Sequence, residues 1–133
     1  MTPRVLVVDD LPFMQSLLGD ILRNAGMLVA AKAENGRDAL AAYLATEPDV
    51  VLLDIAMPEM DGLTALRKLR QLDPAARVVM CSALGEQSLI VKAIQLGARD
   101  FVIKPFRSER VLSAVTRVLE VDGVLDGWRR ESR

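Results

Sequence analysis

The run Val50-Val51-Leu52-Leu53, closed by Asp54 and followed by a turn containing Pro58 and Gly62, constrains this chain more than any other stretch. A continuous apolar run so short, bounded by turn residues, reads as a strand covered on both faces. Such a strand needs helices above and below it. A carboxylate where it ends is costly unless the strand opens there into a polar pocket. Taken alone, Asp54 more often ends a strand or caps the next helix. The other strands change that balance.

Arg4-Val5-Leu6-Val7-Val8 is a second apolar run, and it ends in Asp9-Asp10. Pro12 stands in the first turn of the helix that follows, where it can start a helix without interrupting one. Phe13, Met14, Leu17, Leu18, Ile21 and Leu22 keep the 3.6-residue period, and Gly26 fits the C-terminal stop. Leu28 to Ala31 is a weaker strand, Glu34-Asn35-Gly36 a turn, and Asp38 to Ala45 a helix with Tyr43 inward. After the Val50 strand, Asp61 can cap a helix from Leu63 to Leu72, with Leu63, Leu66 and Leu69 on one face. Arg77 to Cys81 is the next strand and runs into Ser82-Ala83. A helix with Leu89, Ile90, Ala93, Ile94 and Leu96 inward stops at Gly97. Asp100 to Ile103 is a short strand closed by Lys104-Pro105. Ser108 is read as the cap of a last helix carrying Val111, Leu112, Val115, Val118 and Leu119.

Five strands alternate with five helices, a pattern that predicts an α/β fold with an open parallel sheet, helices on both faces and right-handed crossovers. At 133 residues the expectation is one domain over residues 1–120. Residues 121–133, ending in Trp-Arg-Arg-Glu-Ser-Arg, are expected to be a frayed extension or linker, with no output domain. A net charge of −1 gives no general pull toward nucleic acid or anionic lipid. Cys81 is the only cysteine, which excludes an intramolecular disulfide and suits a reducing compartment. With no signal-peptide pattern and no run long enough to cross a bilayer, the expected localisation is cytoplasmic.

The chain contains no histidine. That removes His-based general bases, Ser-His and Cys-His nucleophile pairs and imidazole metal ligands. Chemistry here must use carboxylates, hydroxyls and lysine. Those groups stand at strand ends: Asp9-Asp10 after the first strand, Asp54 after the third, Ser82 after the fourth and Lys104 after the fifth. In open α/β sheets, ligands bind outside the carboxyl ends of the strands. Three carboxylates gathered there repel one another unless a cation neutralises them. Oxygen-only ligands point to Mg²⁺, which keeps several waters and bridges to phosphate oxygens. Ser82 can donate a hydrogen bond to such an oxygen and Lys104 can balance its charge. Asp54 is the best candidate nucleophile toward phosphorus, and Asp9-Asp10 the better metal-holding pair.

Val-Val-Asp-Asp, Asp54-x-x-Met-Pro-x-Met-Asp-Gly, Ser82-Ala83 and Lys104-Pro105-Phe106, in this order and spacing, resemble the receiver domains of two-component response regulators. The resemblance spans Arg4 to about Glu120. Cys81-Ser82-Ala83 and Gly97 to Phe106 look most similar to the stand-alone chemotaxis regulators of that family. It implies a flavodoxin-like, doubly wound five-stranded sheet of order 2-1-3-4-5. It implies Asp54 as phosphoacceptor, with Asp9, Asp10, Asp54 and the backbone carbonyl of Ala56 as Mg²⁺ ligands. Ser82, Ala83 and Lys104 would hold the phosphoryl group, and the Lys104–Pro105 bond would be cis. Phosphorylation would draw Ser82 inward, Phe101 would follow, and the face made by helix 4, strand 5 and helix 5 would change its affinity for a partner.

The partners implied are a histidine kinase as phosphodonor, a flagellar motor switch protein or other output protein, and an external phosphatase. The expected state is a monomer that binds neither nucleic acid nor membrane. Ser82 stands where threonine is frequent in the family, and Phe101 replaces tyrosine. Ala56 and Leu84 are apolar where many relatives place polar groups beside the phosphoryl, so self-hydrolysis should be slow.

Two other chemistries fit less well. Haloacid-dehalogenase-type phosphatases use Asp-x-Asp with the second acid protonating the leaving group, and Ala56 stands at that position, so the chain is not expected to be a turnover enzyme. A flavodoxin-like electron carrier would need a Ser/Thr/Gly-rich phosphate loop, where this chain has Asp9-Asp10-Leu11-Pro12. The alternatives within the family are a receiver cut from a longer regulator with a DNA-binding or methylesterase output, or a stand-alone phosphorelay intermediate.

Overall fold

The computed structural model describes residues 2–126. Its elements are β1 (Arg4–Val8), α1 (Pro12–Asn24), β2 (Leu28–Ala33), α2 (Gly36–Thr46), β3 (Val50–Asp54), α3 (Gly62–Leu72), β4 (Val78–Ala83), α4 (Gln87–Gln95), β5 (Asp100–Lys104) and α5 (Ser108–Val121). The strands form one five-stranded sheet in the order β2-β1-β3-β4-β5. Every pairing is parallel. The architecture is therefore the doubly wound one expected from the alternation.

β3 is central because it can be. All five of its residues are buried, and it is flanked by β1 and β4. Alternate side chains divide between the two faces of the sheet. Val5, Val7, Val50 and Leu52 pack with α1 and α5 through Leu18, Leu22, Val111, Val115 and Leu119. Leu6, Val8, Val51 and Leu53 pack with α2, α3 and α4 through Ala39, Leu66, Leu69, Ile90 and Ala93. Each such side chain contributes about 1.5–3 kcal/mol when fully buried, so the two layers outweigh the local cost of a carboxylate at the end of β3.

The edges of the helical stripes differ from the periodic reading. Phe13 is 75% exposed and Leu17 37%, while Leu18, Ile21 and Leu22 carry the buried face of α1. Ile94 in α4 is likewise exposed. A single sheet face covers only part of a stripe that wide, and the flanking positions stay outside. Caps at two helices follow side-chain chemistry: Asp61 Oδ1 accepts from Thr64 N–H at 2.8 Å, and Asn35 Oδ1 from Asp38 N–H at 2.8 Å. Ser108 does not cap α5. Arg107 is the last extended residue, and its carbonyl accepts from Arg110 and Val111 N–H, so Ser108 is already helical.

The packed unit also runs past the boundary expected at Glu120. α5 continues to Val121, Leu125 is buried, and Val124 packs on the α1/α5 layer. Asp122 is held by Arg77 and Arg99 at 2.6 and 3.0 Å. Residues 127–133, with the Trp128 stretch, lie outside the described residues. Among the described residues, no helix is long and apolar enough to cross a membrane.

Candidate functional site

The parallel register carries the ends of β1, β3, β4 and β5 to one edge of the sheet. Val8 pairs with Leu53, Asp54 with Cys81, and Ala83 with Lys104. Residues 95 positions apart in sequence meet there: Lys104 Nζ donates to Asp9 Oδ2 at 2.9 Å. Lys104 Nζ also lies 3.2 Å from Asp54 Oδ2. Asp9 and Asp54 are buried, Asp10 is partly exposed, and each of the three offers an oxygen within 4.8 Å of the others.

Local turns hold this arrangement. Asp9 Oδ1 accepts from Leu11 N–H at 2.9 Å, turning the chain into α1. Asp9 N–H donates to the Ala33 carbonyl at 3.0 Å, fastening the end of β1 to β2. Beneath Asp54, the start of α3 approaches so closely that a Cβ on Gly62 would lie 2.2 Å from the Asp54 carbonyl oxygen. Gly62 N–H donates to the Ile55 carbonyl at 2.8 Å. Only a residue without a side chain fits there. The Lys104–Pro105 peptide bond is cis.

The electrostatics follow from crowding. Burial raises the Asp54 carboxyl, the Lys104 ammonium pulls it down and Asp9 pushes it up, and together they leave it at about 6. Burial lowers the Lys104 ammonium, but its bond to Asp9 and the charge of Asp54 outweigh that and raise it overall. Burial also raises the Cys81 thiol, to about 12, so Cys81 packs as an apolar side chain and is no nucleophile. One ammonium is shared by Asp9 and Asp54, and Asp10 adds a third carboxylate to the cluster. Three hard oxygen donors, two of them buried, fit a divalent cation, and among the described residues no cysteine joins the cluster.

The remaining expected residues fall on the same edge. Ser82 is buried at the end of β4 and lines, with Ala83, Ile90, Val91, Ile94 and Phe101, an apolar groove of about 510 Å³ between α4 and β5. Phe101 is half-buried and packs on the α2/α3/α4 layer. Ala56 N–H donates to Asp54 Oδ1 at 3.4 Å, and Ala56 is exposed, as is Leu84. Beside Asp10, a cleft of about 430 Å³ is lined by Ala56, Met57, Pro58, Asp61 and Leu89.

Two residues at this edge escaped the sequence reading. Gln15 is buried and donates through Nε2 to the Asp9 carbonyl at 2.7 Å and the Ala33 carbonyl at 3.3 Å. Its signal was a polar residue beside the apolar stripe of α1. Glu86 Oε1 accepts from Ala83 N–H at 2.6 Å. Its signal was an acid three residues beyond a strand end and just before a helix, which is too common to single out.

An edge of this kind, with three acids and a lysine on a 2-1-3-4-5 sheet, defines a phosphoryl-receiving signalling module. The model of the response regulator receiver domain matches residues 5–116, and the chain belongs to that family. It is a phosphorylation-activated signalling switch of a class whose Asp cluster binds Mg²⁺. Among the relatives it is similar to are chemotaxis proteins. The chain is 50% identical over 119 residues to the chemotaxis protein CheY of Bacillus subtilis, covering 90% of this chain and 99% of that one. It is 46% identical over 118 residues to CheY of Thermotoga maritima, covering 89% of this chain and 98% of that protein. Among solved structures it resembles the CheX-CheY-BeF3-Mg²⁺ complex of Borrelia burgdorferi, with TM-score 0.84 and 37% identity over 88% of this chain and 89% of the other.

Proposed function

We propose that Asp54 accepts a phosphoryl group from a phosphohistidine on a partner kinase. A carboxylate oxygen of Asp54 attacks phosphorus, and the phosphorus–nitrogen bond breaks with its electron pair staying on the imidazole. Mg²⁺ held by Asp9, Asp10, Asp54 and the Ala56 carbonyl would neutralise charge on the transferring group. Lys104, which now bridges Asp9 and Asp54, would turn to a phosphoryl oxygen. The Ser82 hydroxyl and Ala83 N–H would donate to the others. The observation that carries this reading is the imbalance at the strand ends, where three carboxylates gather and the single lysine pairs with two of them.

Ser82 and Phe101 line the same groove, which supports the coupling. Movement of Ser82 toward the phosphoryl frees space that the Phe101 ring can take, and the α4–β5–α5 face changes with it. The similarity to CheY proteins supports chemotaxis as the setting, with a flagellar motor component as the output. An external phosphatase is the further partner of this reading, and the Borrelia complex, which contains CheX beside CheY, supports a separate protein partner. Ala56 and Leu84 give no side-chain polar group to orient water, in keeping with that dependence. A cytoplasmic monomer that turns over no substrate completes the reading.

A second reading has its own observation. The chain is also 45% identical over 118 residues to the protein-glutamate methylesterase of Archaeoglobus fulgidus, of which it covers 34%. Under that reading this receiver would control an attached output domain.

The test is intact-mass analysis after incubation with Mg²⁺ and a small phosphodonor, on wild type and Asp54→Asn. One added phosphoryl group, lost in the variant and with EDTA, is the expected result. No adduct in wild type would mean a receiver that works by binding alone. An adduct gone within seconds without any phosphatase would overturn slow self-hydrolysis.

A further inference from the structure

We propose that the Glu86 carboxylate is a resident competitor for the phosphoryl site, holding the Ala83 N–H that the phosphoryl group must take. This rests on the reading of Ala83 as a phosphoryl donor. The chain leaves β4 at Ala83, passes Leu84 and Gly85, and reaches Glu86, the residue from which α4 starts. Across this turn Ala83 N–H donates to Glu86 Oε1 at 2.6 Å, while Glu86 N–H donates to the Ala83 carbonyl at 3.4 Å. The Glu86 carbonyl accepts the first helical bonds of α4, from Leu89 N–H at 3.0 Å and Ile90 N–H at 3.1 Å. One residue therefore clasps the last N–H of β4 and begins α4.

A backbone N–H carries one proton and serves one good acceptor at a time. A short bond to an ionised carboxylate is among the strongest it can make. A phosphoryl oxygen arriving at Ala83 must displace Glu86, and it must also tolerate a negative charge three residues away. Displacement releases the side chain of the residue at which α4 starts. Filling of the site is thereby linked to the helix that lines the Phe101 groove, by a contact independent of Ser82.

If Glu86 only staples the turn, removing it would loosen the turn and leave phosphoryl affinity unchanged or lower. Competition gives the opposite sign. The experiment is calorimetric titration with beryllofluoride in saturating Mg²⁺, a phosphoryl mimic, on wild type, Glu86→Gln and Glu86→Ala, with the Ala83 amide followed by NMR. Glu86→Gln keeps an acceptor without the charge, and Glu86→Ala removes both. Competition predicts binding tightened stepwise, least for wild type and about tenfold for Glu86→Ala. The Ala83 amide resonance of ligand-free Glu86→Ala should also lose the shift caused by the carboxylate. Equal tightening in both variants would reduce the effect to charge alone and overturn the competition. Unchanged or weaker binding in folded variants would overturn it as well. Wild type and variants that all fail to bind the mimic would overturn the reading of the phosphoryl site itself.

Discussion

The two ends of the sheet are built from the same residue types and behave oppositely. At the amino ends of the strands, acids meet matched donors. Asp122 lies between Arg77 and Arg99, Asp49 accepts from Arg4 N–H at 2.8 Å, and Asp73 accepts from the Tyr43 hydroxyl at 2.6 Å. At the carboxyl ends, Asp9 and Asp54 share Lys104, with Asp10 in the same acidic cluster. Asp122 and Asp73 gain stability from ionisation, and Asp54 loses it.

The pH dependence separates them. The two arginines hold the Asp122 carboxyl below its ordinary range. Its contribution is fully present above the unfolded value of about 3.9 and is lost as pH falls through the folded one. The Tyr43 hydroxyl lowers Asp73 in the same direction, while burial and Asp73 raise Tyr43. Asp54 is raised to about 6, so its sign reverses. In metal-free protein the unfolded chain ionises first, and stability falls as pH rises from about 4 toward the folded value. The lesson is that one end is arranged to hold the fold and the other to hold something the fold lacks.

The largest expected effect falls on the crowded end. Asp54→Asn should abolish the phosphoryl adduct and, at neutral pH without metal, stabilise the protein by about 2 kcal/mol. Chemical denaturation at pH 7 with EDTA checks the second effect, and a destabilised variant would show that Asp54 is balanced after all. Lys104→Met should destabilise by about 3 kcal/mol by leaving the acids without their cation, with part recovered in Mg²⁺. A loss that Mg²⁺ does not touch would argue against a cation site. Gly62→Ala forces the start of α3 away from Asp54 and should cost about 2–3 kcal/mol, read as a fall in melting temperature. The smallest effect belongs to the matched end. Asp122→Asn should cost about 1 kcal/mol at pH 7 and flatten the acid limb of stability, without changing phosphoryl uptake. If it altered uptake, the two ends would not be independent.

Much of the candidate site was legible because strand ends are legible. An apolar run that stops at a carboxylate marks both the strand and the place where its polar residue must emerge, as at Val8-Asp9 and Leu53-Asp54. Exposure at helix margins was not legible, since Phe13 and Ile94 obey the same period as their buried neighbours, and only the width of the covering layer excludes them. Nor was the cap of α5: Ser108 has the right chemistry, but the backbone turns helical one residue earlier than that role requires.

By itself, the sequence determined the alternation of five strands with five helices, the burial of β3, the absence of any imidazole chemistry and the set of acids, hydroxyl and lysine available. Periodicity and residue type act locally, so they can be read in one dimension. Tertiary structure alone decided that Lys104 bridges Asp9 and Asp54, that Gln15 ties down the end of β1, that Glu86 occupies the Ala83 N–H and that Asp122, Val124 and Leu125 are held against the packed unit. Those contacts depend on parallel register and on which donor arrives within hydrogen-bond range. No spacing along the chain encodes that distance.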